Sequence, residues 1–213
     1  EPNHPAFVSP QRERCDLRAQ AVAPRTYAGI VRAAAAALPR EVGLVLGELA
    51  GYDEPTARTT SVGEFVEALP RDVACREAVW AVHQFAGPRG TRSTRSGDAV
   101  RTLRDALGAR DCTAAARIWV TETGAGAEDP GRARAGTAAE LRASCRGFAR
   151  VLRRWDRDPR VEGVFQYTAR EDPLHPVGLL DVSLRGVYPA ARLLAAWGAT
   201  GPGEPPPGPT ACG

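Results

Sequence analysis

Four apolar runs in this chain each lead to a residue able to hold a proton or bind a polar group. Val42 to Leu46 leads to Glu48, Ala78 to Val82 to His83, Arg117 to Thr121 to Glu122, and Val161 to Phe165 to Gln166 and Tyr167. Two carboxyl groups placed on either side of one acetal bond can cleave it. One protonates the leaving oxygen and the other supports the electron-poor carbon. Glu122 follows Ile118, Trp119 and Val120 and, by strict alternation, shares a face with Ile118 and Val120. A carboxylate on the inward face of a buried strand is costly unless it is paired or functional, and the non-chemical alternative is an ion pair with an arginine. Glu1 is an ordinary surface acid by position alone. Pro2 and Pro5 behind it impose an extended, turn-forming path.

The elements that must position these residues follow a repeated order of strand, polar residue, loop and amphipathic helix. From Pro24, a favourable first helical residue, Tyr27, Ile30, Val31, Ala34, Ala35 and Leu38 fall on one helical face. The run ending at Glu48 is of buried-strand type. Ser61 and Glu64 have capping-box spacing before Phe65, Val66 and Leu69. Later helices are predicted with Val100, Leu103 and Leu107, then Leu141, Cys145, Phe148, Leu152 and Trp155, and finally Ala190, Leu193, Leu194 and Trp197 on their apolar sides. The strand-end residues lie 35, 39 and 44 positions apart (48 to 83, 83 to 122, 122 to 166), intervals suited to βα units with enlarged loops. Alternating strands and helices predict an α/β fold with a parallel sheet. No glycine-rich phosphate loop follows a strand, which counts against a doubly wound nucleotide-binding fold.

Composition sets outer bounds. At 213 residues and 43% hydrophobic the chain can bury a substantial core. All 28 basic residues are arginine and methionine is absent. The net charge of +3 is spread along the chain, which argues against a nucleic-acid partner, and the dense stretch Arg89 to Arg95 reads as a solvated loop. Five scattered cysteines form no Cys-x-x-Cys pair, so a metal site is not expected, while one or two disulfides are possible. No apolar run approaches the length of a membrane span. Residues 198–213, rich in proline and glycine, are expected to be a disordered tail.

Two strings carry a family resemblance: Glu1-Pro2-Asn3-His4-Pro5 and Ile118-Trp119-Val120-Thr121-Glu122-Thr123-Gly124. They resemble the catalytic motifs of retaining glycoside hydrolases on a TIM (β/α)8 barrel, in which an Asn-Glu-Pro on strand four carries the acid/base and a glutamate on strand seven is the nucleophile. The resemblance extends over residues 1–197 and implies the part of such a barrel from the end of strand four through helix eight, with the preceding half missing. It implies Glu1 as acid/base, its pKa raised by the neighbouring charge of Glu122, and Glu122 as the nucleophile. Asn3 and His4 would line the sugar site or satisfy the turn backbone. Glu48 would bind a sugar hydroxyl or pair with an arginine. His83 would orient the nucleophile, contact substrate or be a hydrogen-bonded core residue.

At strand eight the tryptophan platform of many relatives has no counterpart, leaving Phe165 or Tyr167 to stack on sugar, with Gln166 beside them. Arg170, with Glu171 and Asp172, would bind polar sugar groups or form a loop salt-bridge network. Cys75 and Cys112, each just before neighbouring strands, could approach one another in a barrel. The substrate implied is an oligo- or polysaccharide, with no cofactor and a secreted or cell-surface location. A non-catalytic carbohydrate-binding barrel or an inactive fragment is the alternative, and a transglycosylase would share every residue named. Expressed without its missing half, such a fragment would leave sheet edges open and is expected to be poorly soluble or inactive.

Overall fold

A computed structural model describes residues 1–39, 41–76, 78–87, 89–90, 97–126, 136–173, 175–201 and 203–213. Most of the predicted Arg89 to Arg95 loop lies outside them. The elements in chain order are α1 (Ala23–Ala37), β1 (Val45–Leu49), α2 (Val62–Ala68), α3 (Arg71–Ala74), β2 (Val79–His83), α4 (Ala99–Gly108), β3 (Ile118–Thr123), α5 (Ala138–Asp156), β4 (Val161–Gln166) and α6 (Pro189–Gly198). Short 3-10 turns occupy Asp111–Thr113 and Pro209–Cys212. The strands form a parallel four-stranded sheet in the order β1-β2-β3-β4, the α/β arrangement that the alternating pattern predicts.

The chain divides into two compact units, one of residues 1–83 and 98–121, the other of residues 84–97 and 122–213. In the first unit, α2 packs on α1 and α4, and α4 packs on β2. Phe65, Trp80, Leu103, Leu107 and Ile118 are fully enclosed, each worth about 1.5–3 kcal/mol of burial. Helices α2 and α4 gain side-chain caps. Ser61 Oγ accepts from Glu64 N, and Asp98 Oδ1 accepts from Arg101 N. The Glu64 carboxylate does not complete the box. It takes the guanidinium of buried Arg12 at 2.6 and 2.7 Å. Helix α1 also departs from its predicted face, since Ala28 and Val31 are buried but Ile30 and Leu38 are exposed. Cys75 and Cys112 are disulfide-bonded within this unit.

One irregularity in β1 matters for the site. Val45, Leu46 and Gly47 pair with Val79, Trp80 and Ala81, and then Leu49 pairs with Val82, so Glu48 is an extra residue, a bulge. Gly47 at φ 91° and Glu48 at φ 54° both adopt left-handed backbone. A Cβ on Gly47 would lie 2.8 Å from the Ala81 carbonyl oxygen, so only glycine fits. Its N–H is taken by the Tyr27 hydroxyl of α1 at 2.8 Å.

In the second unit, α5 starts with a complete capping box between Thr137 and Glu140. It packs on α6, β4 and the final 3-10 turn, with Phe148, Leu152 and Trp155 buried. The run Val161 to Phe165 is only partly buried, with Phe165 47% exposed, because β4 is an end strand of the sheet. One expectation fails here. The tail read as disordered is tied down: Cys212 is buried and bonded to Cys145 of α5, and Trp197 Nε1 donates to the Glu204 carbonyl oxygen. Composition misjudged this segment because its anchoring comes from one covalent link and not from an apolar run. Replacing Cys212 with serine should therefore lower stability by about 2–4 kcal/mol, read as a reduced midpoint in urea unfolding under non-reducing conditions.

Candidate functional site

The N-terminal segment reaches the sheet through Asn3. Its Oδ1 accepts from Ala50 N and its Nδ2 donates to Ala50 O, both at 2.8 Å, with a further donation to Thr60 O at 3.3 Å. Asn3 is fully buried, and both amide protons and the amide oxygen are spent on backbone, so it positions its neighbours and does not line a sugar site. Gln11, which sequence reading passed over, does similar work: Nε2 donates to Pro2 O and Val8 O, and Oε1 accepts from Thr60 Oγ1. Only its polar character inside an otherwise featureless loop could have marked it. His4 accepts from Ala6 N at Nδ1 and stacks on Tyr52 at 6.1 Å between ring centroids. It keeps the half-exposed setting that a binding role requires.

This anchoring delivers Glu1 to the C-terminal ends of β1 and β2. Glu1 Oε1 lies 2.8 Å from His83 Nδ1, and Glu48 Oε1 lies 3.2 Å from His83 Nε2. The ring is 5% exposed, whereas the flanking carboxylates are 27% and 47% exposed. The bulge is what makes the second contact, because the inserted residue swings the Glu48 side chain out of strict alternation. His83 therefore sits between two carboxylates, an arrangement absent from the roles expected for it, and among the described residues Glu48 forms its ion pair with this ring and not with an arginine.

Burial raises the Glu1 carboxyl, but the His83 hydrogen bond, the imidazole charge and the ammonium of residue 1 outweigh it and leave the pKa below its ordinary value. Glu48 is lowered too, first by its hydrogen bond to His83, against opposing burial. Tyr52 is raised by burial and then by the Glu1 charge, and Tyr27 by burial, with Glu48 adding to it. The raised Glu1 expected for a proton donor is thus corrected: in this setting an adjacent imidazole dominates its electrostatics.

In the second unit, Glu122 is half-buried near the end of β3, and its carbonyl oxygen accepts from Gln84 N at 2.9 Å. Along β3, Ile118, Val120 and Thr123 are buried, whereas Trp119, Thr121 and Glu122 are half-buried. The strand ends beside β4 through Tyr167 N to Thr123 O at 2.8 Å. Gly124 is required there, since a Cβ would meet Val177 O at 2.8 Å and Gln166 Nε2 at 2.9 Å. Gln166 spends its Nε2 on Tyr167 O and Val177 O, which makes it a support for the loop and not a free sugar donor. Tyr167 is half-exposed and meets the His175 ring edge-on at 6.2 Å. Arg170 is exposed, and its Nε donates to Val182 O at 2.8 Å. Among the described residues no cluster of His, Cys, Asp and Glu could hold a metal ion, and no helix is long and apolar enough to cross a membrane.

Because the carboxyls of Glu1 and Glu48 both titrate below the ordinary glutamate range, their contribution to stability is present above that range and lost as pH falls through the depressed values. Thermal unfolding followed from neutral pH into this acid range should show a decline that is shallower in Glu48→Gln.

No family model and no curated protein matches the chain. Among solved structures, the chain is similar to a GH128 (subgroup II) endo-beta-1,3-glucanase from Sorangium cellulosum at 18% identity and a TM-score of 0.44, with 84% of this chain and 60% of that chain covered.

Proposed function

We propose that the chain is part of a glycoside hydrolase of (β/α)8 type that cleaves O-glycosyl bonds of an oligo- or polysaccharide with retention of configuration. The observation that carries the proposal is the grouping of Glu1, His83 and Glu48 at the C-terminal ends of β1 and β2, the end at which barrel enzymes assemble their chemistry. Glu122 ends the next strand in a string that resembles a nucleophile motif. On this reading Glu122 forms the glycosyl–enzyme ester, and Glu1 protonates the leaving oxygen and later deprotonates water. Half-exposed His4 and Tyr167 are the best placed of the predicted binding residues to contact sugar. The two disulfides support an oxidising, extracytoplasmic setting.

One contact favours a second reading. Glu1 Oε1 lies 2.8 Å from His83 Nδ1, which favours the charged carboxylate over the proton donor, as a barrel that binds carbohydrate without turning it over would allow. The two readings separate in one assay series on a panel of β-glucans, xylans and aryl glycosides. Hydrolysis should be abolished by Glu122→Ala. It should fall about 10²–10⁴-fold in Glu1→Gln on substrates with poor leaving groups. Proton NMR of the first-formed product should show the anomeric configuration of the substrate. Polysaccharide binding without turnover, unaffected by Glu122→Ala, would select the binding protein.

A further inference from the structure

The acid/base reading of Glu1 leaves a gap, since a carboxyl held in its charged form by an imidazole has no proton to give at neutral pH. The geometry around His83 supplies one. Both ring nitrogens face a carboxylate oxygen, at 2.8 Å for Glu1 and 3.2 Å for Glu48. A neutral ring carries one N–H and can donate to only one carboxylate, whereas an imidazolium donates to both. Glu48 reaches the ring only because it occupies a bulge with left-handed backbone at φ 54°, next to a glycine that no other residue can replace and whose N–H is held by Tyr27. Non-glycine residues adopt this backbone at a cost, and such positions concentrate at functional sites.

We propose that Glu48 is a positioning residue that holds His83 as a proton store for Glu1. The proposal rests on the reading of Glu1 as acid/base. In the transfer, the Nδ1–H bond of the imidazolium breaks and an O–H bond forms on Glu1 Oε1. The ring charge and the carboxylate charge are discharged together, and the neutral ring keeps Nε2–H directed at Glu48. Glu48 thereby selects the tautomer in which the Nδ1 proton is the mobile one, the logic by which a buried carboxylate orients a catalytic histidine. Glu1, now neutral, donates to the leaving oxygen. When it later takes a proton from the attacking water, it can return it to Nδ1. Beside Glu1 lie the ammonium of residue 1, His4 and Tyr52, and beside Glu48 lies Tyr27.

Glu48→Gln keeps the side-chain shape and removes the charge. Glu48→Asp suits the left-handed backbone at least as well but is one methylene too short to hold the ring, and it guards against a folding artefact in the first variant. With ring-¹⁵N-histidine labelling, the His83 titration midpoint should move to lower pH by about one unit or more in both variants, a tenfold loss of proton affinity. On glycosides with poor leaving groups kcat should fall about 10–100-fold with KM little changed, while activated aryl glycosides, which need no proton, should be nearly unaffected. An unmoved His83 midpoint would overturn the proposal. So would a rise in KM shared by both substrate classes, which would make Glu48 a sugar contact. If no glycoside is hydrolysed at all while the His83 midpoint still shifts, the coupling stands and the glycosidase reading is what fails.

Discussion

The pairing of the Asn3 side-chain amide with the peptide of Ala50 is the constraint on which the candidate site depends. It spans 47 positions of sequence and uses two hydrogen bonds of 2.8 Å in a fully buried setting. A buried amide left without partners would cost about 1–3 kcal/mol for each group, so the segment has one favourable seat. That seat puts Glu1, two residues earlier, against a ring at the end of β2. Gln11 and Thr60 hold the same segment from the other side, and Arg12 with Glu64 ties the following loop to α2.

The second determinant is backbone strain in β1. A regular strand would pair Glu48 with a residue of β2 and leave its side chain on the alternation of Leu46. The bulge instead makes Glu48 the extra residue, and the cost of its left-handed backbone is offset by the glycine before it, the Tyr27 hydroxyl on Gly47 N and the contact with His83. In β1 the departure from regular pleating falls at a residue that could do chemistry.

Electrostatics follow from these placements. One imidazole with a carboxylate on each side stabilises the anionic form of both acids. Burial works in the opposite direction at Glu1 and loses, because the hydrogen-bonded imidazole of His83 and the nearby charges of the residue 1 ammonium and His4 act together while the side chain retains some solvent.

The sequence by itself determined the order and type of the elements and the polar residue that closes each strand, because hydrophobic period, capping chemistry and strand-end polarity are local properties. Ser61, Pro24 and the stripe from Cys145 to Trp155 could be read without knowing what they pack against. Tertiary structure alone decided that Asn3 and the Nε2 of Gln166 are spent on backbone carbonyls and amides, and that His83 joins Glu1 to Glu48. It also decided that Glu1 is lowered and not raised, and that the tail is fastened through Cys145 and Cys212. Each of these depends on which groups meet across tens of residues and on a one-residue slip in strand pairing. Residue type fixes what a side chain can donate or accept, whereas only the folded register fixes which partner takes it.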